Sequence, residues 1–370
     1  MRIKGVGFST AVTLLAAMAV ASCHSPRRTV VIGYAFPYHL NPTLAVAHEE
    51  IAQLYQGSGP QVTIVYDSVA VGDPAYAEVS RAQRLAALPN VVAVVGHGGS
   101  RASLAAAPVY NEAGIVQVTP MSTSRLLRSA GRWTFNLAPD DSVEGAFIGE
   151  FVAARLRARR VTIYYVNDEY GTGLRDGVVA ELARRDVAVL DQVPMDLSSD
   201  FRTLVAASLK GGEPDVVVVA GRQHETGTIA RLMREHGVRR AVVAGDGALV
   251  LPTLADIAGP AADSIYLVAY WTPDAADSLS RAFVERYRRA AGVMPQSPDA
   301  IVHDALMVVA EAVHAVGPNR AAVRQYLAEL GRERPPFIGV TGPIAFTSGE
   351  RPRLVMTHLV GGQASRVTGP

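Results

Sequence analysis

The chain has very little cysteine and lysine. Its 370 residues include one cysteine, Cys23, and two lysines, Lys4 and Lys210. A single cysteine leaves no partner for a disulfide within the chain. A Schiff-base lysine is nearly excluded, because Lys4 lies in a segment that we expect to be removed after export.

An excess of positive charge is also missing. The formal net charge is +1, aromatic residues make up 6% of the chain, and no basic cluster occurs. Proteins that bind nucleic acid carry a strong positive field on one face. The composition therefore excludes nucleic acid as a partner.

Several catalytic and cofactor motifs are absent from the sequence. It contains no G-x-S-x-G elbow and no Gly-Lys pair, so neither a hydrolase nucleophile nor a P-loop is present. Gly171-Thr172-Gly173 does not complete a dinucleotide fingerprint, because Asp176 stands where the third glycine belongs. The histidines form no H-x-H or H-x-x-x-H pair. We predict a protein that is not an enzyme and has no catalytic residues, no metal site and no cofactor.

What the chain does have is length and a regular pattern. Hydrophobic residues make up 49% and charged residues 19%, a globular composition, and 370 residues can form two domains. Short apolar runs alternate with segments of helical periodicity, as in parallel sheets covered by helices on both faces. Near the end, Gly342–Phe346 and Arg353–Val360 predict an antiparallel hairpin.

The N-terminus is typical of an export signal. Arg2 and Lys4 precede an apolar stretch, Gly5 to Ala19, that is too short for an ordinary membrane-spanning helix. Val20-Ala21-Ser22-Cys23 then resembles the lipobox of bacterial lipoproteins. The alternative is a chance cysteine in an ordinary secretory signal. We predict a signal peptide over residues 1–22, lipid attachment at Cys23 and a tether over residues 23–28, with the protein anchored in the periplasm or at the cell surface.

The segment from Val91 to Ser124 carries the strongest functional pattern. A buried strand, Val91–Val95, leads into a glycine-rich turn, with Ser100 at the predicted N-cap of a helix that stops at Gly114. A second strand, Ile115–Val118, runs into a cluster of hydroxyl residues. Parallel strands joined by a helix end at one edge of a sheet, where ligands bind. The amides and hydroxyls there favour a carboxylate or another small polar group.

This segment resembles the branched-chain amino-acid-binding proteins, the type I periplasmic receptors of ABC importers. The similarity covers nearly the whole chain after the signal peptide and rests on the order of several pieces. These pieces are VVGHGGSRASLAAAPVYNEAGIVQVTPMST, Tyr170-Gly171-Thr172-Gly173, AGRQHETGTIARLMREHG from Ala220, Ala244-Gly245-Asp246-Gly247 and Thr341-Gly342-Pro343-Ile344-Ala345-Phe346.

The resemblance implies an α/β fold of two doubly wound parallel-sheet lobes joined by three crossovers. The crossings then fall near Asp141, Tyr270 and Phe346. Lobe one comprises residues 28–141 plus 271–345, and lobe two comprises residues 142–270 plus 346–370.

The resemblance also implies the ligand contacts of lobe one. The Gly98 amide and the hydroxyls of Ser100 and Thr123 would bind an α-carboxylate, and the Met121 carbonyl would help to orient an α-ammonium group. Ser100 could instead serve only as a helix cap. Tyr38 lies in the first strand-to-helix loop, which contributes to the cleft in this family.

Three residues of lobe two complete the predicted site. Asp246 occupies the position of the acid that pairs with the ligand's ammonium group, although an Asx-turn would also explain it. Tyr170 occupies the position of an aromatic that closes over the ligand, and a core tyrosine is the alternative. Arg222 replaces a common aromatic, so it would bind a second anionic group or point into solvent.

The function that follows is capture of a small amino acid or related amide between two lobes, for delivery to an ABC permease. The alternative is a regulatory lipoprotein that senses a ligand or controls a cell-wall synthase. A regulator of a cell-wall synthase should have a collapsed cleft and should not respond to small molecules.

Overall fold

The computed structural model describes residues 29–36, 41–55, 60–67, 74–196, 198–346 and 351–368. The predicted signal peptide, Cys23 and Tyr38 lie outside these residues. The described strands, in chain order, are β1 Thr29–Ala35, β2 Gln61–Tyr66, β3 Val91–Gly96, β4 Val116–Thr119, β5 Thr134–Asn136, β6 Arg160–Val166, β7 Ala188–Met195, β8 Val216–Ala220, β9 Ala241–Ala244, β10 Ile265–Ala269, β11 Phe337–Gly339, β12 Gly342–Ile344, β13 Val355–Val360 and β14 Gln363–Arg366.

Helices follow most of these strands. The described α-helices are α1 Asn41–Leu54, α2 Pro74–Ala86, α3 Ser100–Ala113, α4 Asp141–Glu150, α5 Glu169–Arg184, α6 Phe201–Leu209, α7 Gln223–Glu235, α8 Leu251–Ala258, α9 Ser278–Ala291, α10 Ser297–Val316 and α11 Arg320–Glu329. Short 3-10 helices cover Arg125–Ser129, Asp246–Ala248 and Gly259–Ser264, and α4 continues as a π-helix over Phe151–Arg155.

Two large sheets organise the chain into two lobes. The first has the order β2-β1-β3-β4-β5 and is parallel throughout. The second has the order β14-β13-β10-β9-β8-β6-β7, with parallel strands from β10 to β7 and an antiparallel edge made by β13 and β14. The chain passes between the lobes after β5, after β10 and between β12 and β13, so the predicted fold class is confirmed.

The inner strands of both sheets are covered on both faces, which explains why β1, β3, β8, β9 and β10 are almost entirely apolar. In lobe one, Val302 and Leu306 of α10 pack on one face of the sheet, and Leu85 and Tyr110 pack on the other. The faces of the second sheet are covered by two similar sets of buried side chains, namely Val205, Ile229 and Leu254, and Ile148, Leu174 and Val178. Each large apolar side chain buried in this way contributes about 1.5–3 kcal/mol.

The predicted hairpin between Gly342–Phe346 and Arg353–Val360 is wrong. Strand β12 instead pairs with β11, while β13 pairs with β10 on one side and with β14 on the other. The true hairpin turns at Gly361 and Gly362, which have φ angles of 59° and 78°. A two-residue turn with positive φ at both positions suits glycine, and it fixes the register of β13 against β14.

Helix α4 was not predicted, because the sequence around Pro139 and Asp140 was interpreted only as a crossing between lobes. Asp140 is the N-cap of α4, and its carboxylate accepts hydrogen bonds from the backbone amides of Ser142 and Val143. An aspartate before apolar residues at helical spacing is the usual start signal of a helix.

None of the described helices is individually long and apolar enough to cross a membrane. Helices α10 and α11, bent by 115° relative to each other, meet the length and composition requirements only as a pair.

A buried ion cluster ties α10 to the rest of lobe one and makes stability depend on pH. Burial disfavours a charged His303, but the carboxylates of Glu50 and Asp304, 3.2 and 3.5 Å from its two ring nitrogens, outweigh burial and raise the pKa of His303 to about 9. The unfolded value is about 6.5. The stability that the imidazolium contributes is therefore complete below pH about 6.5 and is lost as the pH rises through about 9.

We expect wild type to lose on the order of 2 kcal/mol of this contribution between pH 6 and pH 9.5, measured by urea unfolding. His303→Gln should be less stable at pH 6 and should show a smaller loss over this range. A His236→Gln control alters an exposed histidine and should follow wild type. An equal loss in His303→Gln and wild type would contradict the assignment.

Candidate functional site

A cavity of about 290 Å³ lies where the carboxyl ends of strands from the two sheets face each other. It is lined by six of the residues that the sequence predicted as ligand contacts: Gly98, Ser100, Met121, Tyr170, Arg222 and Asp246. The first three belong to lobe one and the other three to lobe two. Residues from distant parts of the chain therefore meet at the predicted switch-point edge.

Ser100 does not cap helix α3, so that part of the prediction is wrong. The N-cap residue is Gly99, and Ser100 is the first helical residue. The Ser100 hydroxyl oxygen accepts hydrogen bonds from the amides of Thr123 and Ser124, at 3.2 and 3.1 Å. This contact joins the two loops of lobe one that line the cavity and leaves the hydroxyl hydrogen available to an acceptor there.

A second layer of hydroxyls supports these loops. Ser103 Oγ accepts a hydrogen bond from the His97 amide at 3.1 Å and lies 2.8 Å from Ser122 Oγ. The His97 ring lies between Glu78 and the Tyr110 hydroxyl, and burial lowers its pKa despite the opposing effect of Glu78. The loop that carries Gly98 is therefore held by buried contacts on its inner side.

Thr123 is the predicted contact that the structure does not bring into the cavity lining. Its side chain is fully buried, and its Oγ1 has no hydrogen-bond partner among the described residues. Its backbone amide is bound by Ser100, as described above. Thr123 therefore supports the loop through the hydrogen bond of its amide to Ser100, without lining the cavity itself.

Asp246 belongs to the cavity lining, and its carboxyl group is buried. The residue is 2% exposed, and its Oδ2 accepts a hydrogen bond from the Tyr270 hydroxyl. Among the described residues, Oδ1 has no hydrogen-bond partner. Burial raises the pKa of Asp246, while the hydrogen bonds from Tyr270 and its other neighbours oppose that rise. A desolvated carboxylate with one free oxygen is a strong site for a cation.

Tyr170 holds the loop that carries Asp246. Its hydroxyl oxygen accepts a hydrogen bond from the Gly247 amide at 3.1 Å, and the side chain is 6% exposed. The Arg222 guanidinium lies 5.6 Å from the centre of the ring. Tyr170 therefore packs in the core and also lines the cavity.

Arg222 reaches the cavity with its charge already paired. One of its terminal nitrogens donates to Asp168 Oδ2 at 2.7 Å, and the side chain is 40% exposed. Asp168 also caps helix α5 by accepting from the amides of Tyr170 and Gly171. The guanidinium therefore lies at the cavity edge and retains other donors that face away from Asp168.

The sequence analysis missed two buried acids behind Asp246. Asp141 and Glu144, on the unpredicted helix α4, are 1% and 0% exposed. Burial and the negative charges of Asp246, Asp140 and Asp168 raise the pKa of Asp141 to about 7. The N-cap signal at Asp140 could have revealed α4, but no local signal shows that Glu144 reaches Asp246.

The sequence analysis also missed the apolar part of the lining. Leu249, Val250 and Pro298 face the same cavity. Pro298 begins α10, which follows the second crossing, so only the tertiary fold brings it to the site. These residues give the cavity an apolar side next to its polar ends.

A larger groove, of about 1140 Å³, opens near Phe135, Val143 and Leu354, but none of the predicted ligand contacts lines it. Within the described ranges, no group of three or more His, Cys, Asp or Glu side chains could hold a metal ion. The 290 Å³ cavity is therefore the site where the predicted ligand contacts come together. Hydrogen-bond donors lie on one wall and a carboxylate on the other, an arrangement suited to a small zwitterion.

Comparison with known proteins agrees with this geometry. A family model described as periplasmic binding protein matches residues 56–359. A Leu/Ile/Val-binding protein homolog of Brucella suis is 28% identical over 286 residues, covering 77% of this chain and 75% of the relative. An amino acid binding protein of Pseudomonas aeruginosa is 29% identical over 246 residues, covering 66% and 65%.

A solved structure shows the same fold. The branched-chain amino acid transporter substrate-binding protein of Streptococcus pneumoniae, crystallised with isoleucine, superposes with a TM-score of 0.82 at 23% identity. The match covers 92% of this chain and 99% of that protein. With the family match over most of its length, the chain belongs to the periplasmic binding protein family.

Proposed function

We propose that the chain is a lipid-anchored extracytoplasmic receptor that captures a small amino acid, or a related amide, for an ABC-type importer. The observation that carries this proposal is the buried carboxyl group of Asp246, whose Oδ1 has no hydrogen-bond partner among the described residues, in a cavity that Gly98 and Ser100 also line. The two ends of an amino acid have the matching charges.

In this assignment the α-carboxylate binds at lobe one. The Gly98 amide and the Ser100 hydroxyl donate to it, at the N-terminal end of α3, where backbone amides have no partner within the helix. Thr123 supports these donors, and Tyr38, in the loop before α1, would contribute from the same lobe. The α-ammonium group binds Asp246 and the Met121 carbonyl.

The ligand side chain would then lie against Tyr170 and the apolar residues Leu249, Val250 and Pro298. The volume of about 290 Å³ is at the lower end of the range of about 300–1,000 Å³ that is usual for small-molecule sites. A small ligand fits this volume. Arg222, already paired with Asp168, would bind a polar group at the cavity edge.

The relatives support the same ligand class. The Brucella protein is named for leucine, isoleucine and valine binding, and the Pseudomonas protein for amino acid binding. The Streptococcus protein was solved with isoleucine. These names favour an amino acid over a sugar or an ion.

The ligand would also join the lobes, taken as residues 28–141 plus 271–345 and residues 142–270 plus 346–370. Its carboxylate contacts lie on lobe one, and its acidic partner lies on lobe two. A ligand that needs both walls binds the closed form better than the open one, and this difference drives closure. The closed form would then be the one that an ABC permease binds.

A thermal-shift screen of the chain without its signal peptide tests the proposal against the regulatory alternative. Amino acids, their amides and small carboxylates are the probes. A ligand at about 100 times its dissociation constant stabilises the folded state by about 2.7 kcal/mol, which is a clear shift. A regulator without a ligand would respond to none of the probes.

We expect Cys23 to carry the lipid anchor. In cells fed a labelled fatty acid, the wild-type chain should take up label and Cys23→Ser should take up none, because the thiol is the attachment point. A Ser22→Ala control keeps the cysteine and should still be labelled. Equal labelling of wild type and Cys23→Ser would contradict the anchor.

A further inference from the structure

Two carboxyl groups are buried together at the lobe-two wall of the cavity. Glu144 is 0% exposed and Asp246 is 2% exposed. Glu144 Oε1 accepts a hydrogen bond from the Asp246 backbone amide at 2.7 Å. Glu144 Oε2 and Asp246 Oδ1 have no hydrogen-bond partner among the described residues.

The groups around this pair are acids and phenols. Asp141 lies on the same helix as Glu144, the Tyr170 hydroxyl approaches from α5, and Tyr270 follows β10. The cation nearest to them in the cavity lining, Arg222, forms its ion pair with Asp168. In the described part of the chain, neither Glu144 nor Asp246 forms an ion pair with a cation.

Two neighbouring carboxylates without a cation cannot both be charged when they are buried. Desolvation and mutual repulsion each favour the neutral form, so one of the two groups keeps a proton. The hydrogen bond from Tyr270 stabilises a charge on Asp246, which also lines the cavity. Glu144 lies behind it, and its Oε1 already accepts a hydrogen bond, so the proton belongs on Oε2.

We propose that Glu144 is a positioning residue that acts as a neutral acid, fixing the Asp246 loop and leaving Asp246 as the single charge for the ligand. This inference rests on the proposed function and narrows its ligand class. A wall with one negative charge matches one ammonium group, and it is poorly matched to a divalent cation or to a ligand with two ammonium groups at that end.

Glycine at position 245 shows how tightly Glu144 is held. A Cβ atom there would lie 2.7 Å from Glu144 Oε1 and 2.6 Å from the Tyr170 hydroxyl oxygen. The carboxyl group therefore sits directly against the backbone of the ligand-facing loop. Burial, followed by the charge of Asp246, raises the pKa of Glu144 well above its ordinary value.

The stability of the ligand-free protein gives the first test. The folded chain retains a proton on Glu144 that the unfolded chain releases above pH about 4.3, so wild type should lose stability as the pH rises. Glu144→Gln has no such proton. Between pH 5 and pH 7, the folded-to-unfolded ratio of wild type should fall relative to Glu144→Gln by as much as about tenfold per pH unit.

Glu150→Gln is the matched control, because Glu150 lies on the same helix and its side chain is 62% exposed. It should follow the pH profile of wild type. A Glu144→Gln profile parallel to that of wild type would show that Glu144 is ionised when folded, and would overturn the inference.

The second test is calorimetry with L-leucine and L-isoleucine as probes. Glu144→Gln should bind within about threefold of wild type, because an amide oxygen still accepts from the Asp246 amide. Glu144→Ala should bind about tenfold more weakly or worse, because that buried donor loses its partner. A loss in Glu144→Gln as large as in Glu144→Ala would mean that the charge is needed and would overturn the inference. Absence of amino acid binding in wild type, with the pH result intact, would contradict the proposed function instead.

Discussion

Replacing Asp246 with asparagine is expected to weaken amino acid binding by roughly thirtyfold to several thousandfold. This range corresponds to about 2–5 kcal/mol, the usual loss when one partner of a buried charge pair is removed and the other charge stays unpaired. The ammonium group of the ligand would face a neutral amide in a cavity where Asp246 is 98% buried and Arg222 is already paired. Isothermal titration calorimetry measures the effect.

The same substitution should not unfold the protein. Asparagine keeps the shape of the side chain and can still accept the hydrogen bond from Tyr270. Asp256→Asn changes an exposed acid on α8 of the same lobe, and it should leave both affinity and melting temperature as in wild type. Unchanged affinity in Asp246→Asn would show that the ammonium group does not bind at Asp246.

Gly245→Ala is the second substitution with a large expected effect. The added methyl group would lie 2.6 Å from Leu174 Cδ2 and from the Tyr170 hydroxyl oxygen, much closer than van der Waals contact. Such overpacking costs about 1–3 kcal/mol of stability. The loop that carries Asp246 must also move away, so we expect ligand binding to be lost together with the stability, as measured by urea unfolding and calorimetry.

Gly99→Ala is the control for stability at the opposite wall. A methyl group there meets no atom within 4 Å, and the backbone is extended, with φ at 167°. This variant should unfold at the same urea concentration as wild type. If Gly245→Ala were as stable as Gly99→Ala, Glu144 and Tyr170 could not be packed tightly against the backbone of residue 245.

The sequence predicted the fold well where the local pattern and the tertiary environment agree. The strand predicted at Val91–Val95 is β3, Val91–Gly96, and the helix predicted to stop at Gly114 is α3, which ends at Ala113 with Gly114 as its C-cap. A short apolar run of β-branched residues is typical of a strand in a sheet that is covered on both faces. The alternation of these elements predicted parallel sheets with helices on both faces. The two lobes and their three crossings were implied by the family resemblance.

The hairpin at the end of the chain failed because strand pairing is not a local property. Within the segment Arg353–Val360, residues Val355–Val360 do form a strand, β13, but its partners are β10 and β14. The Gly361-Gly362 turn was a readable signal for the pairing with β14. The pairing with β10 depends on how the chain returns to lobe two, which no short pattern encodes.

The sequence predicted the loop residues of the candidate site but not the side chains that reach it from helices. Gly98, Ser100 and Asp246 follow strands at the switch-point edge, so topology places them in one cleft. Pro298 lines the same cavity, and Glu144 lies behind Asp246; both come from helices that start after the lobe crossings. Pro298 meets the site only where lobe one faces lobe two, and Glu144 meets Asp246 only through packing within lobe two, so no local sequence pattern reveals either contact.

A crystal structure of the chain with its bound amino acid tests the central claim most directly. The account predicts one amino acid in the 290 Å³ cavity, with its carboxylate on the Gly98 amide and the Ser100 hydroxyl and its ammonium group on Asp246 Oδ1. A ligand bound elsewhere, such as in the groove near Phe135, or one in this cavity with its carboxylate toward Asp246, would contradict the account.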